Sequence, residues 1–263
     1  MLRSLNSGVS GLRSFQTKLD VIGNNIANVN TTGFKKGRVV FEDLFSQTLR
    51  DATPPTAGSG GINPLQVGLG TKVASVQNLF TPGSPTVTNN PTDMYIDGDG
   101  FFVVKKGTEQ FLTRAGNFAM DSSNQLVNPD GMILTDITGA AIQLPAGSVS
   151  YTIDANGVVT GLDGSGKSLG SQTIALATVA NPSGLSKVGG SLYSESTNSG
   201  KMDISNLNGP GNQQIITGTL EMSNVDLAEE MTDMIIAQRG FQANSKIITT
   251  SDTILDELIN LKR

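Results

Sequence analysis

The two ends of this chain carry heptads, and the stretch between them does not. Leu5, Leu12, Leu19 and Ile26 recur every seven residues, and Gly8, Phe15, Ile22 and Val29 do the same three positions out of step. At the other end Leu227, Met234, Phe241, Ile248 and Leu255 form a further seven-residue series. A companion series there opens with Met231 and closes with Ile259, but Gln238, Ser245 and Asp252 lie between. Apolar residues held at this spacing make a stripe along a helix, and such a stripe needs another helix to cover it. Two helices of about 30 residues would each run ~45 Å, long enough to protrude from a β body as a paired stalk. Gly8, Gly11 and Gly23 each weaken the first helix by roughly 1 kcal/mol relative to Ala, so that helix has to be held by a partner.

The helical parts are expected over residues 1–30 and 225–263, together forming one terminal-helix domain. Asn28, Asn30, Thr31 and Thr32 bond readily to nearby backbone, and Gly33 accepts positive φ, so the first helix should stop there. The second has Ser223 as its expected N-cap, with Asp226 three residues on. Asp226, Glu229 and Glu230 in its first turns and Lys262 and Arg263 at its end suit the helix dipole. Gly240 is its one weak point.

Residues 31–70 read as a connecting arm. Within it, 39–49 suit a short amphipathic helix or an extended arm, and 51–70 are rich in Pro and Gly. From residue 71 the period changes to two. Strands are expected at 72–80, 94–97, 101–105, 110–114, 117–120, 125–128, 132–135, 141–144, 150–153, 158–160, 172–180, 191–194 and 214–221, within a β-rich domain over 71–224. Turn signals such as Asp97-Gly-Asp-Gly100 and Asn128-Pro-Asp-Gly131 separate them, as in an antiparallel meander. The expected fold class is therefore α+β, with long N- and C-terminal helices pairing as a coiled-coil-like stalk and a mainly antiparallel β central domain.

Composition narrows the functions. The net charge of −5 opposes nucleic-acid binding, which needs a basic face; the short cluster Lys35, Lys36 and Arg38 reads as a solvated turn. There is no Cys and no His, so thiolate chemistry is excluded and the commonest general base and metal ligand are missing. No apolar run reaches the ~18 residues of a membrane span, and the first residues lack the apolar core of a cleaved signal.

Two motifs invite chemistry and fail on context. Gly161-Leu-Asp-Gly-Ser-Gly166-Lys167-Ser168 matches a phosphate-cradling loop, which works only between a strand and a helix. The run after Ser168 is β-like, so a hairpin loop is expected. Asp97 and Asp99 suggest calcium or a carboxylate pair, but the twelfth position from Asp97 is Thr108 where a calcium loop needs Glu, so these residues read as turn formers. No convergent catalytic set stands out, and no cofactor or metal is expected. A stalked β-domain enzyme stays as the remote alternative.

Asp20-Val-Ile-Gly-Asn-Asn-Ile-Ala-Asn28, followed by Thr31-Thr-Gly-Phe-Lys35, resembles the N-terminal signature of bacterial flagellar rod and hook axial proteins. Gln66-Val-Gly-Leu-Gly70, Asp97-Gly-Asp-Gly-Phe-Phe102, Thr113-Arg-Ala-Gly-Asn-Phe118, Ser223-Asn-Val-Asp-Leu-Ala-Glu-Glu-Met231, and Ala237-Gln-Arg239 with Gln242-Ala-Asn-Ser245 look like that family's later blocks, in order. The run 238–263 and the block 63–70 look more like hook proteins, and the short length resembles a compact hook protein or the distal rod protein. The resemblance implies a non-enzymatic structural subunit of the flagellum, in the hook first and the distal rod second. The hook member would be a flexible joint passing torque to the filament, the rod member a rigid shaft.

The resemblance also implies partners. These are further copies of the chain in a helical polymer, the neighbouring rod, hook–filament junction and hook cap proteins, and the flagellar type III export apparatus; neither nucleic acid nor a membrane span is implied. The terminal helices would line an inner tube, and the β domain would face outward. The residues expected at subunit contacts are Leu5, Leu12, Phe15, Leu19, Ile22, Ile26, Val29, Leu227, Met231, Met234, Phe241, Ile248, Leu255 and Ile259. Asn24, Asn25, Asn28, Thr31, Gly33, Phe34 and Lys35 carry the family motif. A seam mixing Leu, Met and Ile with Ala, Ser and Thr would let neighbouring helices shift, so Leu at Ala237, Ser245 and Ser251 should stiffen the assembly.

Overall fold

The computed structural model describes residues 2–55, 60–145, 147–205 and 213–261. The fold is α+β, as expected, and the chain divides into two units. One takes Met1–Ala27, Gly37–Asn78 and Asp226–Arg263; the other takes Asn28–Lys36 and Leu79–Val225.

The first unit is built on two helices, α1 (Leu2–Ala27) and α2 (Leu227–Asn260). Both stop a few residues inside the expected limits, and Lys262 and Arg263 lie outside the described residues. α2 is capped by Asp226, not Ser223. The Asp226 carboxylate accepts from the backbone N–H groups of Ala228 and Glu229, whereas Ser223 Oγ accepts from Val225 N at 3.3 Å. A carboxylate placed immediately before the first turn outcompetes a hydroxyl three residues upstream.

The remainder of this unit is an out-and-back excursion. β1 (Gly37–Asp43) pairs antiparallel with β4 (Thr71–Asn78), and β2 (Ser46–Arg50) with β3 (Leu65–Gly68). A bridge between Thr53 and Ile62 carries the pairing outward. The helix considered for 39–49 therefore gives way to strands. Its β-branched and aromatic residues prefer that state, and the partner strand across a loop of this length could not be read from local pattern.

The second unit comprises β5 (Pro85–Val87), β6 (Met94–Asp97), β7 (Phe101–Lys106), β8 (Glu109–Thr113), β9 (Ala119–Met120), β10 (Leu126–Val127), β11 (Ile133–Leu134), β12 (Ser150–Ile153), β13 (Val158–Leu162), β14 (Ser168–Thr173), β15 (Leu176–Thr178), β16 (Ser186–Gly189), β17 (Leu192–Ser194), β18 (Asp203–Ser205), β19 (Gln214–Thr217) and β20 (Thr219–Glu221). All pairings are antiparallel. The main sheet runs β16-β17-β8-β7-β11-β10-β9, with β15 bridging β7 and β18.

β7 is central, and both its faces are covered. Phe102 and Val104 enter one apolar cluster with Met94, Ile96, Leu134 and Ile174. Phe101 and Val103 enter another with Leu112, Ala177 and Tyr193. That is why its sequence is a continuous apolar run and not an alternation. The long strands expected at 172–180 and 214–221 are each divided. The second break falls at Gly218, which holds a φ of 73° that a side chain would resist.

Candidate functional site

Two sites take in most of the family-motif and heptad residues: the seam between α1 and α2 in the helical unit, and a buried ionic junction in the β unit. Along the seam the partners of α1 fall in reverse order on α2. A Cβ placed on Gly8 would lie 3.4 Å from Ile248, and one on Gly11 would lie 2.9 Å from the Asn244 side chain. Phe15 sits over Gly240, where an added Cβ would be 2.6 Å from its ring. Lys18 Nζ is 3.4 Å from Asp233, and Asn25 Nδ2 donates to Glu230 Oε2 at 3.1 Å. The helices are antiparallel and approach closely because glycines alternate with large side chains across the contact. Gly240, a weak point for a lone helix, is the seat for Phe15 in a pair.

The seam on α2 combines the expected series Met234, Ile248 and Leu255, all half-buried, with Glu230, Ala237 and Ser251, all buried. The companion series is thus three residues out of step, not four. Hydrophobicity could not identify it because its members are small or polar. Ala237 and Ser251 are enclosed within one chain, so Leu at either would push α1 away before it touched a neighbour. On α1, Ile22 is buried and Leu5, Leu12, Phe15, Leu19 and Ile26 are half-buried; Val29, half-buried, belongs to the β unit. Leu227, Met231, Phe241 and Ile259 are exposed, as are Ile235, Ile236, Ile247, Ile254 and Leu258. The spacing of Ile236, Ile247, Ile254 and Leu258 places them along one side of α2.

Asn25 closes one end of the seam. Besides Glu230 it holds Gly37 from both directions, donating to its carbonyl at 2.9 Å and accepting from its N–H at 2.9 Å. One buried amide therefore fixes where β1 leaves the helices. Asn24 is exposed.

The other motif residues belong to the β unit. Thr31 Oγ1 donates to Asn28 Oδ1 at 3.1 Å, and Thr31 N to Asn28 O at 3.1 Å. Gly33 has a φ of 68°, and a Cβ there would lie 2.4 Å from Ala115 N. Lys187 Nζ lies 4.7 Å from the centre of the Phe34 ring. Lys35 is fully buried (0% exposed), contrary to its expected place in a solvated basic turn. Its ammonium donates to Glu221 Oε1 at 2.6 Å and to Thr81 O at 2.8 Å. Glu221, also buried, accepts from Gly83 N at 2.9 Å and from Arg114 Nη1 at 3.4 Å. Arg114 further donates to the carbonyls of Ile96 and Gly98. Burial pulls the Lys35 pKa below its ordinary 10.5, with Glu221 opposing that fall, and burial likewise lowers Lys187. Tyr193 is pushed well above the usual tyrosine range, first by burial and then by Glu221. No sequence pattern marked Glu221 and Arg114 as a pair; only the fold joins them.

The chemistry-like motifs resolve as turns. Residues 163–167 join β13 to β14 as a hairpin tip, with Asp163 N donating to Lys167 O at 2.9 Å. The phosphate-loop pattern is thus followed by a strand. Asp97 and Asp99 are exposed around Gly98, whose φ is 115°. Among the described residues no helix is long and apolar enough to cross a membrane.

Three family models match successive parts of the chain. Residues 5–35 match "Flagella basal body rod protein", 95–161 match "Flagellar hook protein FlgE/F/G D1 domain", and 216–261 match "Flagellar basal body rod FlgEFG protein C-terminal". The chain is 49% identical to the flagellar basal-body rod protein FlgG of Bacillus subtilis over 264 residues, covering all of both chains. This chain belongs to the flagellar rod and hook protein family. It is accordingly a flagellar structural protein. Borreliella burgdorferi provides one relative of each kind. Its rod protein FlgG is 42% identical over 271 residues, and its hook protein FlgE is 31% identical over 441, each match covering both chains in full. The hook relative therefore aligns only across long insertions, and the balance moves from hook, the first expectation, to rod.

Proposed function

We propose that the chain is a rod subunit: one segment of a hollow shaft, built from many copies, that carries rotation through the flagellar basal body. The observation that carries this reading is the comparison within one organism, in which the rod relative matches end to end at nearly equal length and the hook relative does not. The structure supports assembly in two places, both in the helical unit. α2 presents Ile236, Ile247, Ile254 and Leu258 to water, a stripe of the kind that marks a protein interface. Every residue of β2 and β3 is exposed, and the preceding Phe45 is 90% exposed. An isolated two-stranded ribbon is marginal in water, so a neighbouring copy is the natural support for it. Leu227, Met231, Phe241 and Ile259, exposed on a different side of α2 from that stripe, are assigned to subunit contacts as well. The half-buried Leu5, Leu12, Phe15, Leu19, Ile26, Met234, Ile248 and Leu255 act chiefly in pairing the two helices. A shaft subunit needs no catalytic group or cofactor.

Complementation tests the assignment. The gene is expressed in two flagellated strains, one lacking its own distal rod protein and the other lacking its hook protein. Motility restored only in the first supports the rod. Motility restored only in the second, with curved tubes by electron microscopy, would return the assignment to the hook.

A further inference from the structure

The chain enters the β unit at Asn28, leaves at Lys36, returns at Leu79 and leaves again at Val225. The segments next to these four crossings come from three distant parts of the chain, yet they converge on two side chains. Glu221 takes three of them. Its backbone carbonyl accepts from Gly33 N at 2.8 Å, and its carboxylate accepts from Gly83 N and the Lys35 ammonium. Asn224 repeats the arrangement three residues later. Its Oδ1 accepts from Lys36 N at 2.8 Å and its Nδ2 donates to Leu79 O at 2.8 Å. Leu79 N donates in turn to Lys36 O at 2.9 Å, and Met222 N to Ser84 O at 3.0 Å. The backbones are in contact as well, since a Cβ on Gly83 would lie 2.0 Å from Met222 O.

We propose that Glu221 and Asn224 form a clasp that makes the four crossings open and close as one cooperative body. Each crossing alone is a short run of irregular chain with few bonds, which would fray independently. Lys35 cannot leave the shared carboxylate without unpairing a buried charge, and the other crossings are bonded to the same segment through Gly33, Gly83, Lys36 and Leu79. In the rod reading, on which this consequence rests, force arriving along any one connection is shared by all of them. Glu221 is then a positioning residue for mechanical coupling, not merely a contributor to the core.

Hydrogen exchange on the full chain as a monomer tests the clasp without requiring assembly, so its outcome stands apart from the rod assignment. Glu221→Gln keeps the size and an acceptor but removes the charge. The amides of Gly33, Lys36, Leu79 and Gly83 should then exchange faster by a common factor of about tenfold or more, while those of Val103 and Leu112 in the main sheet keep their protection. Asn224→Ala, at a half-buried position, should accelerate the same four amides even though its side chain hydrogen-bonds to Lys36, Leu79 and Thr81 and not to Gly33 or Gly83. No change, a change at Gly83 alone, or an equal loss throughout the β unit would each overturn the proposal.

Discussion

In the β unit, strand β7 has an apolar cluster on each face. In the helical unit, α2 is covered where it meets α1 and leaves Ile236, Ile247, Ile254 and Leu258 in water. Each unit also buries a carboxylate: Glu221 lies between Lys35 and Arg114 in the β unit, and Glu230 accepts from Asn25 in the helical unit. The β unit closes a two-sided core around β7 within its own chain, and α2 leaves a continuous apolar stripe exposed. In the proposed rod reading a subunit uses both, because a part with its own core is joined to a part that offers surface to neighbouring copies. All three tyrosines, Tyr95, Tyr151 and Tyr193, lie in the β unit, and both α-helices of the described residues lie in the other. Tyrosine fluorescence and the far-UV helix signal therefore report the two units separately.

The hardest test of this division is Glu221→Ala. It strands Lys35 and Arg114 as buried cations and should lower β-unit stability by about 3–5 kcal/mol. The tyrosine transition in urea should move and the helix transition should stay. If the helix signal moves equally, the units do not unfold separately and the comparison fails. Gly240→Ala is the counterpart in the helical unit. Its methyl would meet the Phe15 ring, so overpacking of about 1–3 kcal/mol should outweigh the roughly 1 kcal/mol gained in helix propensity. Gly23→Ala meets nothing within 4 Å and should raise helix melting by up to about that same 1 kcal/mol. A stabilising Gly240→Ala would show that the glycine seat is unimportant.

Smaller effects should come from pH. The folded pKa values of Lys35 and Lys187 lie below their ordinary 10.5. Between the lowered values and 10.5 the unfolded chain therefore binds more protons than the folded one. β-unit stability should rise with pH across that window, and the contribution is lost again as pH falls through the folded values. Tyr193, raised above 10.0, acts oppositely and removes stability above about pH 10. Calorimetry from about pH 7 upward should show the rise and then the fall, and a steady decline would contradict it. The smallest change in monomer stability is expected for Ile236→Ser with Leu258→Ser, within about 0.5 kcal/mol each. The same pair should abolish tube formation at concentrations where the unaltered chain assembles. Intact assembly would remove this face of α2 from the contact surface.

Local pattern determined a good deal by itself. The heptads announced two helices that needed partners, and the change to period two announced an antiparallel β body. The motif blocks identified the family. These features are legible because each depends on residues close together in the chain or on a repeat. Tertiary structure decided the rest. Which face of α2 meets α1 depended on Gly11 and Phe15 finding the polar Asn244 and the small Gly240 more than two hundred residues away, and an apolar count overlooks such partners. Lys35 looked like a solvated turn because its neighbours are basic and polar, yet Glu221, 186 residues along the chain, makes its burial tolerable. Charges and glycines take their meaning from what the fold brings against them, and that pairing energy is non-local.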